Sequence, residues 1–322
     1  MIHFKRFIIG FTVVAIVLLG TLVSSFSFYK GTSEAPPDLL TTNVDYKNKT
    51  INDDGSSINT IEASGGSLIN SSLIADIYES TLEALSSFGV YQSLASVVPG
   101  LPHKVYIKIY PGERKEQIAD KLAKQFKWKE KDKKNFLNEF EPINITNDGH
   151  YYPGFYAVDS NASSTEIRDI LFGKFQKDVA SRYPKSTSEQ VPLNMALTVA
   201  SLIQREAGGK EDLALISGII WNRMFIGMNL QVDATLQYAK GKKGNWWPRV
   251  LSKDKFIPSL YNTYKNNGLP PSPISNVSLA SLQAALNPVK TDCIFYLHAK
   301  DRSFHCSPTY QGHLDNIKKY LK

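Results

Sequence analysis

The chain has 322 residues, 42% of them hydrophobic, and carries 37 Lys and Arg against 30 Asp and Glu, a net charge of +7. That length accommodates a membrane anchor and one or two domains with real cores. The lysines are spread through the chain apart from one dense run at 127–134, which reads as a solvated helix face, and the six histidines lack ligand spacing, so nucleic acid, a metal and a cofactor have no support, whereas attraction to anionic lipid or wall polymer fits the charge.

Phe7 to Phe28 is an apolar run of membrane-spanning length, preceded by Lys5 and Arg6 and followed by Glu34 and Asp38, which keeps the short N-terminus cytoplasmic. Val23-Ser24-Ser25 would suit a cleavage site, but the run exceeds a signal-peptide apolar region, and an uncleaved anchor is the reading taken. Residues 31–70 are rich in Ser, Thr, Asn, Asp and Gly and read as a flexible tether. Leu73 to Val98 carries Ile74, Ile77, Tyr78, Leu82 and Leu85 at helical spacing and has no assigned role.

From Lys104 the pattern changes. Val105 to Ile109 alternates as a strand, Pro111-Gly112 turns, and a helix follows from Glu116 to Phe126 with Ile118, Leu122 and Phe126 on one side. A second short helix holds Phe136, Leu137 and Phe140. The aromatic stretch His150 to Tyr156 leads to an amphipathic helix over Ser163 to Val179.

The segment Met195 to Glu206 contains neither Pro nor Gly and reads as helix. At about 100° per residue, Glu206 shares one arc with Met195, Ala196, Val199, Ala200, Leu202 and Ile203, while Gln204 and Arg205 point elsewhere. A carboxyl held against apolar side chains has its ionised form disfavoured and is suited to give up a proton near neutrality. The bland alternative is a helix-terminal Glu that curls back to water. Ala207-Gly208-Gly209 ends this helix, and Asp212 to Phe225 forms the next. Asp233, before a helix starting near Ala234, reads as a second carboxylate of a site, as a partner of Arg223, or as a helix cap.

Ile294–Leu297 and Ser303–Cys306 suggest a hairpin, and Leu314 to Leu321 a closing helix. Strands turning symmetrically about Ala299 and Lys300 would bring Cys293 and Cys306 face to face, within disulfide reach. A four-residue turn at Ala299–Arg302 would shift the register and leave two thiols. The fold class is α+β without a βαβ repeat: a stub and anchor over 1–30, a tether over 31–102, a small strand–helix–helix module over 103–160, and a linking helix with the main domain over 161–322.

Residues 200–206 read Ala-Ser-Leu-Ile-Gln-Arg-Glu, residues 223–233 Arg-Met-Phe-Ile-Gly-Met-Asn-Leu-Gln-Val-Asp, residues 261–264 Tyr-Asn-Thr-Tyr and residues 268–271 Gly-Leu-Pro-Pro. In order and spacing, these resemble the YceG-like family of endolytic murein transglycosylases, from about position 104 onward and most strongly over 196–290. The resemblance implies that Glu206 is the catalytic acid, with Gln204 standing where the family often has another Glu. It implies substrate binding by Gln231, Asp233, Tyr261, Asn262, Thr263 and Tyr264, and a stiff cleft wall at Gly268 to Pro271. The module over 103–160 is similar to the family's pre-catalytic unit. Residues 34–100 do not match the LysM-like glycan-binding unit that precedes it in most members. His150 to Tyr156 matches a segment usually reading aromatic-aromatic-Pro-Asp, here with Gly154 in place of the acid, and its aromatics suit either sugar stacking or a core.

The implied activity is a lytic transglycosylase cutting MurNAc–GlcNAc bonds within glycan strands, leaving 1,6-anhydroMurNAc ends and ending nascent strands. The implied location is the bacterial cytoplasmic membrane, with the catalytic domain outside, the bilayer holding the N-terminal helix, and penicillin-binding proteins or other wall synthases as expected partners. Two alternatives remain: a muramidase-type hydrolase using Glu206 and Asp233, and a non-catalytic wall-binding protein.

Overall fold

The computed structural model describes residues 40–52, 104–137, 148–209 and 212–321. The anchor expected over 7–28 and the helix expected over 73–98 lie outside them. Among the described residues, no helix is long and apolar enough to cross a membrane.

The tether expectation fails for residues 40–52. Strands β1 (Val44–Asp45) and β2 (Thr50–Ile51) form a small antiparallel hairpin, and Leu40, Val44 and Ile51 are buried in the main core. Asn43 N–H and Thr42 Oγ1 both donate to the Leu286 carbonyl, at 3.2 and 2.7 Å, and the Thr187 hydroxyl donates to the Leu40 carbonyl at 2.9 Å. The average composition of 31–70 conceals three well-placed apolar side chains, and tertiary burial of those few outweighs the polar background.

Strand β3 (Lys104–Ile109) pairs antiparallel with β4 (Gly154–Asp159), Lys104 opposite Asp159 and Ile109 opposite Gly154. Alternation turns Ile107, Ile109, Tyr156 and Val158 inward. They meet Ile118 and Leu122 of α1 (Lys115–Gln125), Phe136 of α2 (Glu130–Leu137), and Ile167 and Leu171 of α3 (Ser164–Asp178) in one hydrophobic cluster. Tyr151 is fully buried there and donates to the Phe136 carbonyl at 3.3 Å, so Tyr151 and Tyr156 are core residues rather than a sugar-stacking strand. Ser163 starts α3 with a capping box: its Oγ accepts from Glu166 N–H at 3.2 Å, and the Glu166 carboxylate accepts from Ser163 N–H at 2.8 Å. Phe175 and Val179, further along, belong to the larger cluster, so this helix ties both cores together.

After the short helix α4 (Lys185–Gln190), α5 (Leu193–Glu206) runs through the larger core. It packs against α6 (Leu213–Phe225), α7 (Asp233–Lys240) and α8 (Leu279–Leu286). All residues from Ala196 through Ile203 are buried. Its middle is therefore covered all round, and the one-sided arc read from the sequence understates its burial. The motif residue Gln204 accepts from Ser278 N–H at 3.0 Å and from the Ser281 hydroxyl at 2.9 Å, binding α5 to the start of α8.

The two cores join through buried polar groups. Asn276, fully buried, receives Gly112 N–H on its carbonyl at 2.7 Å and Tyr151 N–H on its side-chain oxygen at 2.8 Å. Asp148 accepts from Lys115 N–H and from the Tyr238 hydroxyl, each at 2.6 Å. Burial, reinforced by nearby Glu116, pushes the Asp148 carboxyl from 3.8 up to about 6. An acid raised in the folded state stabilises the fold below its ordinary pKa, and that contribution is lost as pH rises through the folded value. Relative to Asp148→Asn, the native protein should lose on the order of 3 kcal/mol between pH 4 and pH 7, at about 1.4 kcal/mol per unit. Paired thermal melts across that range read it, and a constant difference would refute it.

Strands β5 (Phe295–His298) and β6 (Phe304–Ser307) pair with Tyr296 opposite Cys306 and His298 opposite Phe304. Arg302 N–H returns to the Ala299 carbonyl at 2.9 Å, with Arg302 at φ 70°. The chain does turn over Ala299–Arg302, but Ala299 N–H closes on the Ser303 carbonyl at 2.9 Å, so the register is neither the one symmetric about Ala299 and Lys300 nor that of a plain four-residue turn. Cys293 and Cys306 are nevertheless bridged, with their Cα atoms 5.8 Å apart. Cys293 lies just before β5, outside the ladder, so its sulfur reaches Cys306 diagonally and the shifted register does not leave two thiols. Helix α9 (Tyr310–Tyr320) closes the chain against this hairpin.

Candidate active site

Four segments bring the site together: the last turn of α5, the first turn of α7, strand β5, and the loop carrying Tyr264. Glu206 is the final residue of α5 and is partly covered. Its Oε2 accepts the Tyr296 hydroxyl at 2.8 Å, and its Oε1 accepts Ala234 N–H at 3.4 Å from the start of α7. Both donors favour the carboxylate, as does His298 nearby, while burial and neighbouring Asp233 disfavour it. Burial dominates, and the Glu206 carboxyl is raised above the usual carboxylate range. The Tyr296 hydroxyl is itself pushed well above 10 by burial and by Glu206, so it stays a proton-bearing donor.

Asp233 is exposed at the first position of α7 and accepts the Tyr264 hydroxyl at 2.6 Å. Neither bland reading of Asp233 holds. The cap is Val232, and the buried Arg223 turns Nε to the Ile294 carbonyl at 2.7 Å and Nη1 to the Leu230 carbonyl. Arg223 thus ties α6 to the chain entering β5 and to the chain entering α7, steadying the segments on both sides of Glu206. Gln231 is exposed with its backbone at φ 52°, a left-handed conformation, and its N–H donates to the Thr263 carbonyl at 3.0 Å.

The Tyr-Asn-Thr-Tyr segment divides by role. Asn262 is fully buried and donates to the carbonyls of Lys255 and Ile257 at 3.1 and 2.8 Å. Thr263 is buried, accepts Val232 N–H at 3.0 Å and bonds the Thr235 hydroxyl at 3.0 Å. Tyr261 bonds Ser272 Oγ at 2.6 Å and packs on Tyr238. Asn262 thus holds the loop to itself, Thr263 ties it to α7, and half-buried Tyr261 rests on Tyr238 of α7. Of the residues read as substrate contacts, Gln231, Asp233 and Tyr264 stand beside Glu206's surroundings with exposed or half-exposed groups. The Gly-Leu-Pro-Pro turn leads into Ile274, whose N–H donates to Ser201 Oγ of α5 at 3.0 Å.

Sequence reading missed Tyr296 and His298. They occupy alternate positions of β5, Tyr296 on Glu206 and His298 Nε2 3.0 Å from Asp212 Oδ2. A Cβ on Gly208 would come within 3.1 Å of the His298 ring, so the glycine turn after Glu206 allows this strand to close in. No local motif marks Tyr296; alternation within a half-buried strand was the only signal. Removing its hydroxyl takes away a donor to ionised Glu206. Tyr296→Phe should therefore move the high-pH limb of the rate profile upward and lower kcat by about tenfold or more, the scale of a lost hydrogen bond to a charged group. An unmoved limb would show that the contact does not tune Glu206.

A family model described as the YceG-like family matches residues 78–319. The endolytic murein transglycosylase of Bacillus subtilis is 32% identical over 255 residues, 72% of this chain and 69% of that protein. The Streptococcus pneumoniae protein of the same name is 30% identical over 152 residues, 47% of this chain but 28% of that protein. The crystal structure of a yceG-like protein from Listeria monocytogenes superposes with a TM-score of 0.59 at 29% identity, covering 66% of this chain and 76% of that one. With three quarters of its length matched, and with a relative alike across most of both chains, this protein belongs to the YceG-like family.

Proposed function

We propose that the chain is a peptidoglycan lytic transglycosylase in which Glu206 is the sole acid and base. The observation that carries this reading is the state of Glu206: a carboxyl raised by burial, oriented by Tyr296 and by the start of α7. Protonated Glu206 gives its proton to the glycosidic oxygen as the bond from the MurNAc anomeric carbon breaks. The longer Ala234 contact leaves Oε1 the less committed oxygen, and it is the one that carries the proton. The MurNAc 6-hydroxyl then attacks the anomeric carbon and returns its proton to Glu206. The products are a 1,6-anhydro end and a free GlcNAc 4-hydroxyl, with no water consumed. Asp233 and Tyr264, with Gln231, bind the sugar flanking the cut.

Residues 7–28 anchor the protein in the bacterial cytoplasmic membrane with the catalytic residues outside, where nascent strands are cut and wall synthases are the partners. The Cys293–Cys306 bridge supports an oxidising location.

Mass spectrometry of muropeptides after incubation with the protein tests this reading, anhydro ends being expected. Reducing ends would select the two-carboxylate hydrolase, and uncut glycan a wall-binding protein. Asp233→Asn should lower the rate by roughly tenfold, less than loss of the acid itself, because one carboxyl suffices for both proton transfers. Complete loss with an unchanged melting temperature would favour the hydrolase.

A further inference from the structure

The segment between Asp233 and Asp292 contains a single acidic residue, Asp254. That acid is buried and paired with Lys240, so it puts no negative charge on the surface. Around it, Arg249, Lys253, Lys255 and Lys265 are all exposed. The same loop displays large apolar side chains: Phe256 is 76% exposed, Leu260 74% and Leu251 48%.

This display is built into the loop. Asp254 accepts Leu251 N–H at 2.7 Å. Fully buried Asn262 gathers the carbonyls on either side of Phe256, those of Lys255 and Ile257. Asn266 donates to the Ser259 and Leu260 carbonyls at 2.8 and 3.3 Å. Buried polar groups thus hold a loop whose outer side chains are apolar and cationic. Its far end joins the site, since Lys255 Nζ lies 4.8 Å over the Tyr264 ring and Tyr264 bonds Asp233.

We propose that the 249–265 loop seats on the surface of an anionic bilayer. Phe256 and Leu260 enter the boundary between headgroups and acyl chains, while Arg249, Lys253, Lys255 and Lys265 face lipid phosphates. A polyanionic wall polymer would satisfy the cations but leave the apolar side chains in water. The bilayer accounts for both. Contact there would hold the glycan site close to the membrane surface.

The two cysteines are bridged to each other, so a single cysteine placed at Ser259 is the unique thiol for an environment-sensitive fluorophore. The full chain is reconstituted into vesicles containing brominated lipid, either one third phosphatidylglycerol or phosphatidylcholine alone. A second protein carries the label at exposed Ser181 and reports anchoring alone. Expected is at least twofold stronger quenching at 259 than at 181 in anionic vesicles, lost in phosphatidylcholine. Lys253→Glu with Lys255→Glu, or Phe256→Ser with Leu260→Ser, should abolish the difference. Equal quenching at the two positions, or quenching indifferent to lipid charge, overturns the proposal. A fluorescence response to soluble polyphosphate and none to vesicles assigns the loop to a polyanion and overturns it as well. Glycan cleavage enters none of these readings, so failure of the catalytic assignment stays separate.

Discussion

Glu206→Gln is expected to abolish glycan cleavage, by at least about 10²-fold, while leaving the fold intact. The amide keeps the shape of the carboxyl: its oxygen can still accept Ala234 N–H while its NH2 donates to the Tyr296 hydroxyl oxygen, so both contacts that orient Glu206 keep a partner, one with its direction reversed. What it lacks is a proton to give and a site to take one back, and in the proposed mechanism both half-reactions pass through this one group. The native group is raised by burial, so native activity should fall as pH rises through the Glu206 pKa, whereas residual activity of the variant should show no such limb. The melting temperature should stay level or rise, because replacing a buried carboxyl removes the cost of ionising it. Native-like release of anhydro-muropeptides by the variant would overturn the assignment.

Gly218→Ala is expected to be strongly damaging although it lies away from the acid. Gly218 lies in α6, and a Cβ there would come 2.2 Å from the Val289 carbonyl oxygen and 3.2 Å from the Thr291 side chain. Alanine favours helix over glycine by about 1 kcal/mol, but a collision with backbone outweighs that preference. A loss of about 3 kcal/mol follows from overpacking a site that cannot relax, a drop of roughly 6–12 °C in melting temperature. Activity should fall further than the unfolded fraction explains. The displaced segment runs into β5, where Asn222 holds the Thr291 and Cys293 carbonyls and Arg223 that of Ile294, ahead of Tyr296. Gly173→Ala is the control: nothing lies within 4 Å of its Cβ position in α3, so the helix propensity term stands alone and should stabilise by roughly 0.5–1 kcal/mol. Equal melting temperatures for the two variants would show that the close approach at Gly218 is slack.

Local patterns were legible in the sequence wherever side-chain spacing and chain geometry coincide. The strand ending at Ile109, the helices ending at Gln125, Asp178, Glu206 and Phe225, and the late hairpin all lie within a residue or two of the positions that alternation or helical spacing assigns. The ordered motifs also marked the family, because its chemistry needs particular residue types at fixed separations. The sequence determined those things by itself. Which polar side chains face substrate and which hold the backbone was decided only in three dimensions. Asn262 and Thr263 look like ligands in a motif, yet each is buried and committed to a neighbouring carbonyl or hydroxyl. Gln204, inside the catalytic motif, is a brace for α8. Tyr296 reaches Glu206 across 90 positions of sequence, and residues 40–52 turn from apparent tether to core through contacts with Leu286 and Thr187. The bridge between Cys293 and Cys306 formed without the symmetric register that would have set them face to face, since one cysteine sits outside the ladder. Each of these depends on distant segments meeting, and a local pattern carries no record of which buried group will be satisfied by a neighbour and which will be left facing the glycan.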